Sequence, residues 1–122
     1  MIVGIGIDIV DLEEFRARIS DALLQEVFLP GEIAYAASRA HPRESYAARF
    51  AAKEAAMKAL GAGLSQGVAW RDIEVVRAAD GALSLRLAGR ALDLARGKGV
   101  TGSWVSITHS SATAAAVVVL EA

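Results

Sequence analysis

Between positions 2 and 10 the chain alternates, with Val3, Ile5, Ile7 and Ile9 set against Gly4, Gly6 and Asp8. A period of two predicts a strand. From Asp11 the period lengthens. Leu12, Phe15 and Ile19 fall at helical spacing, and Asp11 followed by Glu14 three residues later makes a capping-box-like start. Ser20 is placed to cap a short continuation through Leu23, Leu24 and Val27. Pro30-Gly31 interrupts it, and a further short helix is expected over 32–38. After His41-Pro42 the pattern predicts a long helix over 43–60, rich in alanine, free of Gly and Pro, and ended at Gly61 and Gly63.

Beyond that helix the period returns to two. Ile73 and Val75 alternate with Asp72 and Glu74; Leu83, Leu85 and Leu87 alternate with Ser84 and Arg86. Asp80-Gly81 between them is a hairpin signal. Residues 89–98 read as an amphipathic helix closed by Gly99, and two last strands, 104–108 and 113–120, flank a Ser110-Ser111 turn. The second is apolar almost throughout, which predicts a central strand. Hairpin-linked strands segregated from helices predict an α+β fold, an antiparallel sheet packed on a long helix.

At 122 residues, with no linker, repeat or low-complexity stretch, the chain is expected to form one domain, 1–122. Its 54% hydrophobic content and mean hydropathy of +0.38 are those of a folded protein. Thirteen basic against fourteen acidic residues give a net charge of −1, which argues against general nucleic-acid binding. No cysteine is present, so disulfides, thiolate metal sites and cysteine nucleophiles are excluded. No apolar run approaches the roughly 20 residues of a membrane span, and no basic n-region heads a secretory signal. A cytoplasmic chain is expected. So short a chain buries only about two-thirds of its unfolded surface, which favours completion of the core by association.

Three places carry candidate chemistry. Asp8 lies on the strand face of Gly4 and Gly6, where the missing side chains allow something to approach the backbone closely. An unpaired carboxylate buried there costs several kcal/mol, on the order of a softened Born penalty, so it needs a cation, donors or water. Capping the next helix would explain it, but Asp11 is better placed for that. On the long helix Phe50, Glu54 and Lys58 are spaced by four, with Arg49, Lys53 and Met57 beside them. Periodicity alone reads Glu54–Lys58 as a solvated pair worth a few tenths of a kcal/mol, about 0.2–0.5. On that pattern alone the solvated pair is the favoured reading; a carboxylate flanked by cations can also hold a divalent metal that meets phosphate oxygens, since Mg²⁺ commonly takes one or two carboxylates and fills its shell with water and phosphate. His109, ending Ser106-Ile107-Thr108, has no second histidine at metal spacing, which argues against zinc. Gly4-Ile5-Gly6 lacks the third glycine and the helix of a dinucleotide fingerprint, and no serine sits at a strand–elbow–helix junction to head a triad.

Taken in order, Gly4-Ile5-Gly6-Ile7-Asp8-Ile9-Val10, Arg49-Phe50-Ala51-Ala52-Lys53-Glu54-Ala55 with Lys58-Ala59-Leu60-Gly61, and Val105-Ser106-Ile107-Thr108-His109 resemble the holo-[acyl-carrier-protein] synthase family, the small bacterial class of 4′-phosphopantetheinyl transferases. The resemblance runs end to end. It implies the 4′-phosphopantetheinyl transferase-like fold, and transfer of the phosphopantetheine arm of coenzyme A to a serine of apo acyl carrier protein, releasing adenosine 3′,5′-bisphosphate. It implies that Asp8 and Glu54 hold Mg²⁺ against the pyrophosphate and that Lys58 neutralises developing charge or assists proton transfer. Arg49, Lys53, Thr108 and His109 would meet coenzyme A, and Gly61 and Gly63 would admit its adenosine close to the backbone. It also implies a homotrimer with sites between neighbouring subunits. The chemistry suits the composition: phosphoryl transfer needs positioning and charge neutralisation more than a nucleophile of the enzyme's own.

Two departures stand out. The family's first helix presents basic residues to an acidic carrier, whereas here Glu14 replaces a common arginine. Six acids between 11 and 32 (Asp11, Glu13, Glu14, Asp21, Glu26 and Glu32) face only Arg16 and Arg18, which are left as the expected carrier contacts. No proline follows Asp80-Gly81, which predicts only a changed hairpin. Two other readings use the same residues: a non-catalytic oligomeric domain binding coenzyme A or a nucleotide, and an interaction domain in which Asp8 and Glu54 are ordinary surface acids.

Overall fold

The computed structural model describes residues 1–122. In chain order they form β1 (Ile2–Asp11), α1 (Leu12–Arg18), α2 (Asp21–Val27), α3 (Pro30–Ala37) and α4 (Pro42–Leu60). After two 3₁₀ turns, Leu64–Gln66 and Trp70–Asp72, come β2 (Ile73–Arg77), β3 (Leu83–Leu87), α5 (Gly89–Gly97), β4 (Gly102–His109) and β5 (Thr113–Glu121). One antiparallel sheet has the order β1-β5-β4; β2 and β3 form a separate hairpin that lies against β4. The expected α+β architecture is present, and β5 is the central strand. No helix is long and apolar enough to cross a membrane.

Local signals set the boundaries. Asp11 accepts the Glu14 backbone N–H at 2.9 Å, so Glu14 contributes its amide to this cap and not the reciprocal carboxylate contact expected of a capping box. Ser20 caps α2 through the Leu23 N–H at 3.2 Å. Helix α3 begins two residues earlier than its apolar pattern indicates, because Pro30 occupies the first turn, where a missing N–H costs nothing. Pro42 opens α4 in the same way, and Gly61 ends it in the left-handed region with φ 73°.

Helix α4 is the core. Ala47, Ala48, Ala51, Ala52, Ala55, Ala56 and Ala59 are all buried on it, against Ala114, Ala116, Val118 and Leu120 of β5 and the glycine face of β1. A Cβ built on Gly4 would stand 2.0 Å from the Ala59 carbonyl oxygen, and one on Gly6 only 1.8 Å from that of Ala55. The close approach expected at the two glycines is therefore made by the chain's own helix, backbone against backbone. The isoleucines that alternate with them point away from the core: Ile5, Ile7 and Ile9 are 60%, 67% and 72% exposed, with Trp104 at 64% on the same sheet face.

Because the obstructing atoms at Gly6 are helix backbone, Gly6→Ala forces α4 off the sheet and costs the upper end of about 1–3 kcal/mol or more. Gly97→Ala, in a helix with open space around the new Cβ, is neutral or stabilising by up to about 1 kcal/mol. Denaturant midpoints of the two variants check this; equal midpoints would remove the steric account of β1.

Candidate active site

The third residue of the glycine face, Asp8, comes next along the strand where α4 still covers it. Lys58, in the last turn of α4, reaches back and donates to Asp8 Oδ1 and to the Ile7 carbonyl, both at 3.0 Å. Lys58 is half exposed and the Asp8 carboxylate largely covered. One turn earlier, Glu54 accepts the Trp70 indole N–H at 2.8 Å through Oε1. Asp8 and Glu54 line one groove of about 290 Å³, walled by Phe15, Ile19, Leu23 and Phe50 and edged by Glu14 and Arg18. Glu54 and Lys58 also line a second groove of about 340 Å³, floored by Gly61, Ala62 and Gly63 with Met57, Leu64 and Gln66. The three residues singled out for catalysis thus stand together at the meeting of an apolar groove and a glycine-lined one.

The other expected contacts are placed elsewhere. Lys53 is fully buried: its Nζ pairs with Glu32 Oε1 at 2.8 Å and donates to the carbonyls of Trp70, at 3.1 Å, and of Ile73. All three ammonium protons are committed, so Lys53 is not free to meet a phosphate. Its role is to tie α4 to α3 and to the start of β2. Burial pushes its ammonium below the ordinary lysine range, while the Glu32 carboxylate works the other way. Glu32 also accepts the Leu29 and Val75 N–H groups at 2.9 and 3.0 Å, and at 1% exposure it does not belong among the acids that would face a partner. Arg49 is buried too, its guanidinium 4.1 Å from the centre of the Tyr35 ring and its Nε without a partner. Burial lowers its pKa, against the raising influence of Tyr35 and Glu32.

His109 and Thr108 end β4. In register His109 opposes Ala114, on the α4 side, and its Nδ1 lies 3.7 Å from Glu44 Oε2 in the first turn of α4. Glu44 and Glu54 are ten residues apart, about 15 Å along the helix. Thr108 opposes Ala115 and stands on the open isoleucine face. Within one chain neither residue meets the Asp8–Glu54–Lys58 group.

Two partners were missed in the sequence, Glu32 for Lys53 and Trp70 for Glu54. Trp70 carried a signal, since a part-buried indole N–H usually finds an acceptor. Glu32 carried one too, as an acid inside the apolar run of a short helix.

Residues 4–116 match the family model described as the 4′-phosphopantetheinyl transferase superfamily. A relative from Geobacter sp. (strain M21), named holo-[acyl-carrier-protein] synthase, is 44% identical over a 124-residue alignment covering 99% of each chain. The chain belongs to the 4′-phosphopantetheinyl transferase superfamily. The fold agrees. The holo-[acyl-carrier-protein] synthase of Neisseria meningitidis superposes with a TM-score of 0.88 at 32% identity over all of both chains. That of Bacillus anthracis, solved in complex with CoA (3′,5′-ADP), gives 0.83 at 35% identity, covering 100% of this chain and 98% of the other. The transferase motifs thus divide by depth. Lys53 and Arg49 serve the interior; Asp8, Glu54 and Lys58 face the grooves.

Removing one member of the buried pair strands the other. Lys53→Met is expected to cost about 3–5 kcal/mol, and the double variant Lys53→Met/Glu32→Leu to recover much of that loss. Chemical denaturation checks both. A Lys53→Met protein of unchanged stability with a raised KM for coenzyme A would restore the phosphate contact and overturn the interior role.

Proposed function

We propose that this chain is a holo-[acyl-carrier-protein] synthase acting as one domain, 1–122. It transfers the 4′-phosphopantetheine group of coenzyme A to a serine of apo acyl carrier protein, releasing adenosine 3′,5′-bisphosphate. The observation that carries the reading is the convergence of Asp8, Glu54 and Lys58 at the junction of two grooves in a chain of this superfamily. The serine oxygen attacks the phosphorus that bears the pantetheine as its hydroxyl proton passes to water, the pyrophosphate P–O bond breaks, and the leaving phosphate keeps the electron pair.

The chain's own residues supply position and charge. Asp8 and Glu54 are hard oxygen donors on one groove, and no group of three His, Cys, Asp or Glu residues forms a closed metal cage. Two carboxylates suit Mg²⁺, which keeps waters and takes phosphate oxygens for the remainder. When bound, the ion supplies charge neutralisation at the pyrophosphate. The Lys58 ammonium already stands over Asp8, and because it is half exposed, water weakens its hold on that carboxylate, so a pyrophosphate readily draws it to the leaving oxygen. The floor of Gly61 and Gly63 admits the nucleotide portion close to the backbone. Arg16 and Arg18, exposed on α1, contact the carrier; Arg18 lines the groove that leads to Asp8 and Glu54.

The open sheet face is the subunit interface of a homotrimer. Ile5, Ile7, Ile9 and Trp104 form an apolar surface of a kind that monomeric proteins rarely leave bare. Association there brings the Thr108–His109 end of one copy to the grooves of the next, which accounts for their separation within a chain.

Incubation with apo acyl carrier protein, coenzyme A and Mg²⁺ is expected to add the mass of one phosphopantetheine to the carrier; an unchanged mass across several carriers sinks the reading. Asp8→Asn and Glu54→Gln each lose about a hundred- to a thousandfold in turnover, the range of removed charge-stabilising groups, with circular dichroism unchanged. Chelation stops the reaction and Mg²⁺ restores it. Sedimentation is expected to show an assembled wild type and a monomeric Ile7→Lys variant; a monomeric wild type removes the interface.

A further inference from the structure

Lys53 and Glu54 are consecutive on α4, yet one points into the core and the other into the grooves. Trp70 joins them again. Its carbonyl accepts from Lys53 Nζ at 3.1 Å, and its indole Nε1–H donates to Glu54 Oε1 at 2.8 Å. Its ring packs on Phe50, 6.0 Å between centroids and tilted by 41°. The 3₁₀ turn that carries it is pinned from both sides, by Ala69 N–H on Asp72 Oδ2 at 3.0 Å and by Ala88 N–H on the Asp72 carbonyl at 2.8 Å. Backbone, ring and N–H of Trp70 are all fixed, and three of the residues that meet them (Phe50, Lys53 and Glu54) lie within five positions of one helix.

A glutamate at the rim of a groove has several rotamers to choose from, and its carboxylate loses that freedom only when a rigid donor holds one oxygen. The indole does this. It takes Oε1 and leaves Oε2 without a protein donor.

We propose that Trp70 is a positioning residue for the transfer: its indole N–H holds the Glu54 carboxylate in the orientation that receives the metal, and Lys53 contributes by anchoring the Trp70 backbone. This rests on the reading of Asp8 and Glu54 as metal ligands. Trp70 need not touch coenzyme A or the carrier. A residue that only packed would affect stability and nothing else.

Trp70→Phe keeps a ring against Phe50 and deletes the N–H; Trp70→His keeps an N–H on a smaller ring. Mn²⁺ binding to each purified protein with coenzyme A present, read by electron paramagnetic resonance, is compared with the Mg²⁺ dependence of turnover and with Tm. Trp70→Phe is expected to bind Mn²⁺ about tenfold more weakly, the scale of lost support around a metal ligand. It needs about tenfold more Mg²⁺ for half-maximal turnover, approaches the wild-type kcat at saturation, and keeps its Tm within a few degrees. Trp70→His regains part of the affinity. Independently of any Trp70 variant, the indole N–H resonance of Trp70 in the wild type shifts on titration with Mg²⁺ and coenzyme A. Wild-type metal affinity in Trp70→Phe, or an indole resonance that ignores the titration, overturns the role. Glu54→Gln separates this from the wider reading. If it binds Mn²⁺ like the wild type, the metal assignment itself falls; if it loses the ion while Trp70→Phe keeps it, only the positioning role falls.

Discussion

The carbonyl oxygens of Ala55 and Ala59 occupy the space where β-carbons of residues 6 and 4 would stand, and the placing of the site follows from that contact. A helix seated so closely on a strand requires small residues on both sides, which explains the buried alanines of α4. It also determines what happens at the next position on the same strand face. Asp8 follows Gly6 by one period of the pleat, so it emerges beside the helix within reach of Lys58, two residues short of the edge of the covered face. The carboxylate of a strand and the acid and base of a helix are brought together by packing that involves no charge.

Neighbouring positions on α4 then do opposite things. Lys53 is sealed inside by Glu32 and two carbonyls, an arrangement in which every donor is used and the loss of either partner leaves a bare charge in a low-dielectric interior. Lys58 holds the largely covered Asp8 carboxylate from a half-exposed position, where water and salt weaken the attraction. The first arrangement favours rigidity and the second allows exchange of partners. A transferase of a pyrophosphate ester needs both: a framework that does not move, and a cation able to leave one anion for another.

The order and type of the elements were legible in the sequence because period, caps and Gly/Pro punctuation are local properties. The long helix, the hairpin at Asp80-Gly81 and the central β5 could all be read that way. The facing of β1 was not. Alternation shows that two faces differ, and here the glycine face is the core while the isoleucine face is open, because what covers the strand is a backbone and not a set of side chains. Depth was also hidden on α4. Lys53 and Lys58 look alike along a helix, and what separates them is Glu32, twenty-one residues from Lys53, together with the carbonyls of Trp70 in a 3₁₀ turn and of Ile73 at the start of β2. The ordered motifs identified the family and its three groove-facing residues. They did not separate these from Arg49 and Lys53, whose partners lie far away in the chain.

The claim on which the account depends is that one packing contact assembles a phosphate site from Asp8, Glu54 and Lys58. A crystal structure of the chain with coenzyme A and Mg²⁺ tests it most directly. The account predicts the ion between the carboxylates of Asp8 and Glu54, the pyrophosphate within hydrogen-bonding reach of Lys58 Nζ, and Lys53 still buried on Glu32. Coenzyme A bound away from these three residues, or an ion held without Asp8 and Glu54, would contradict it.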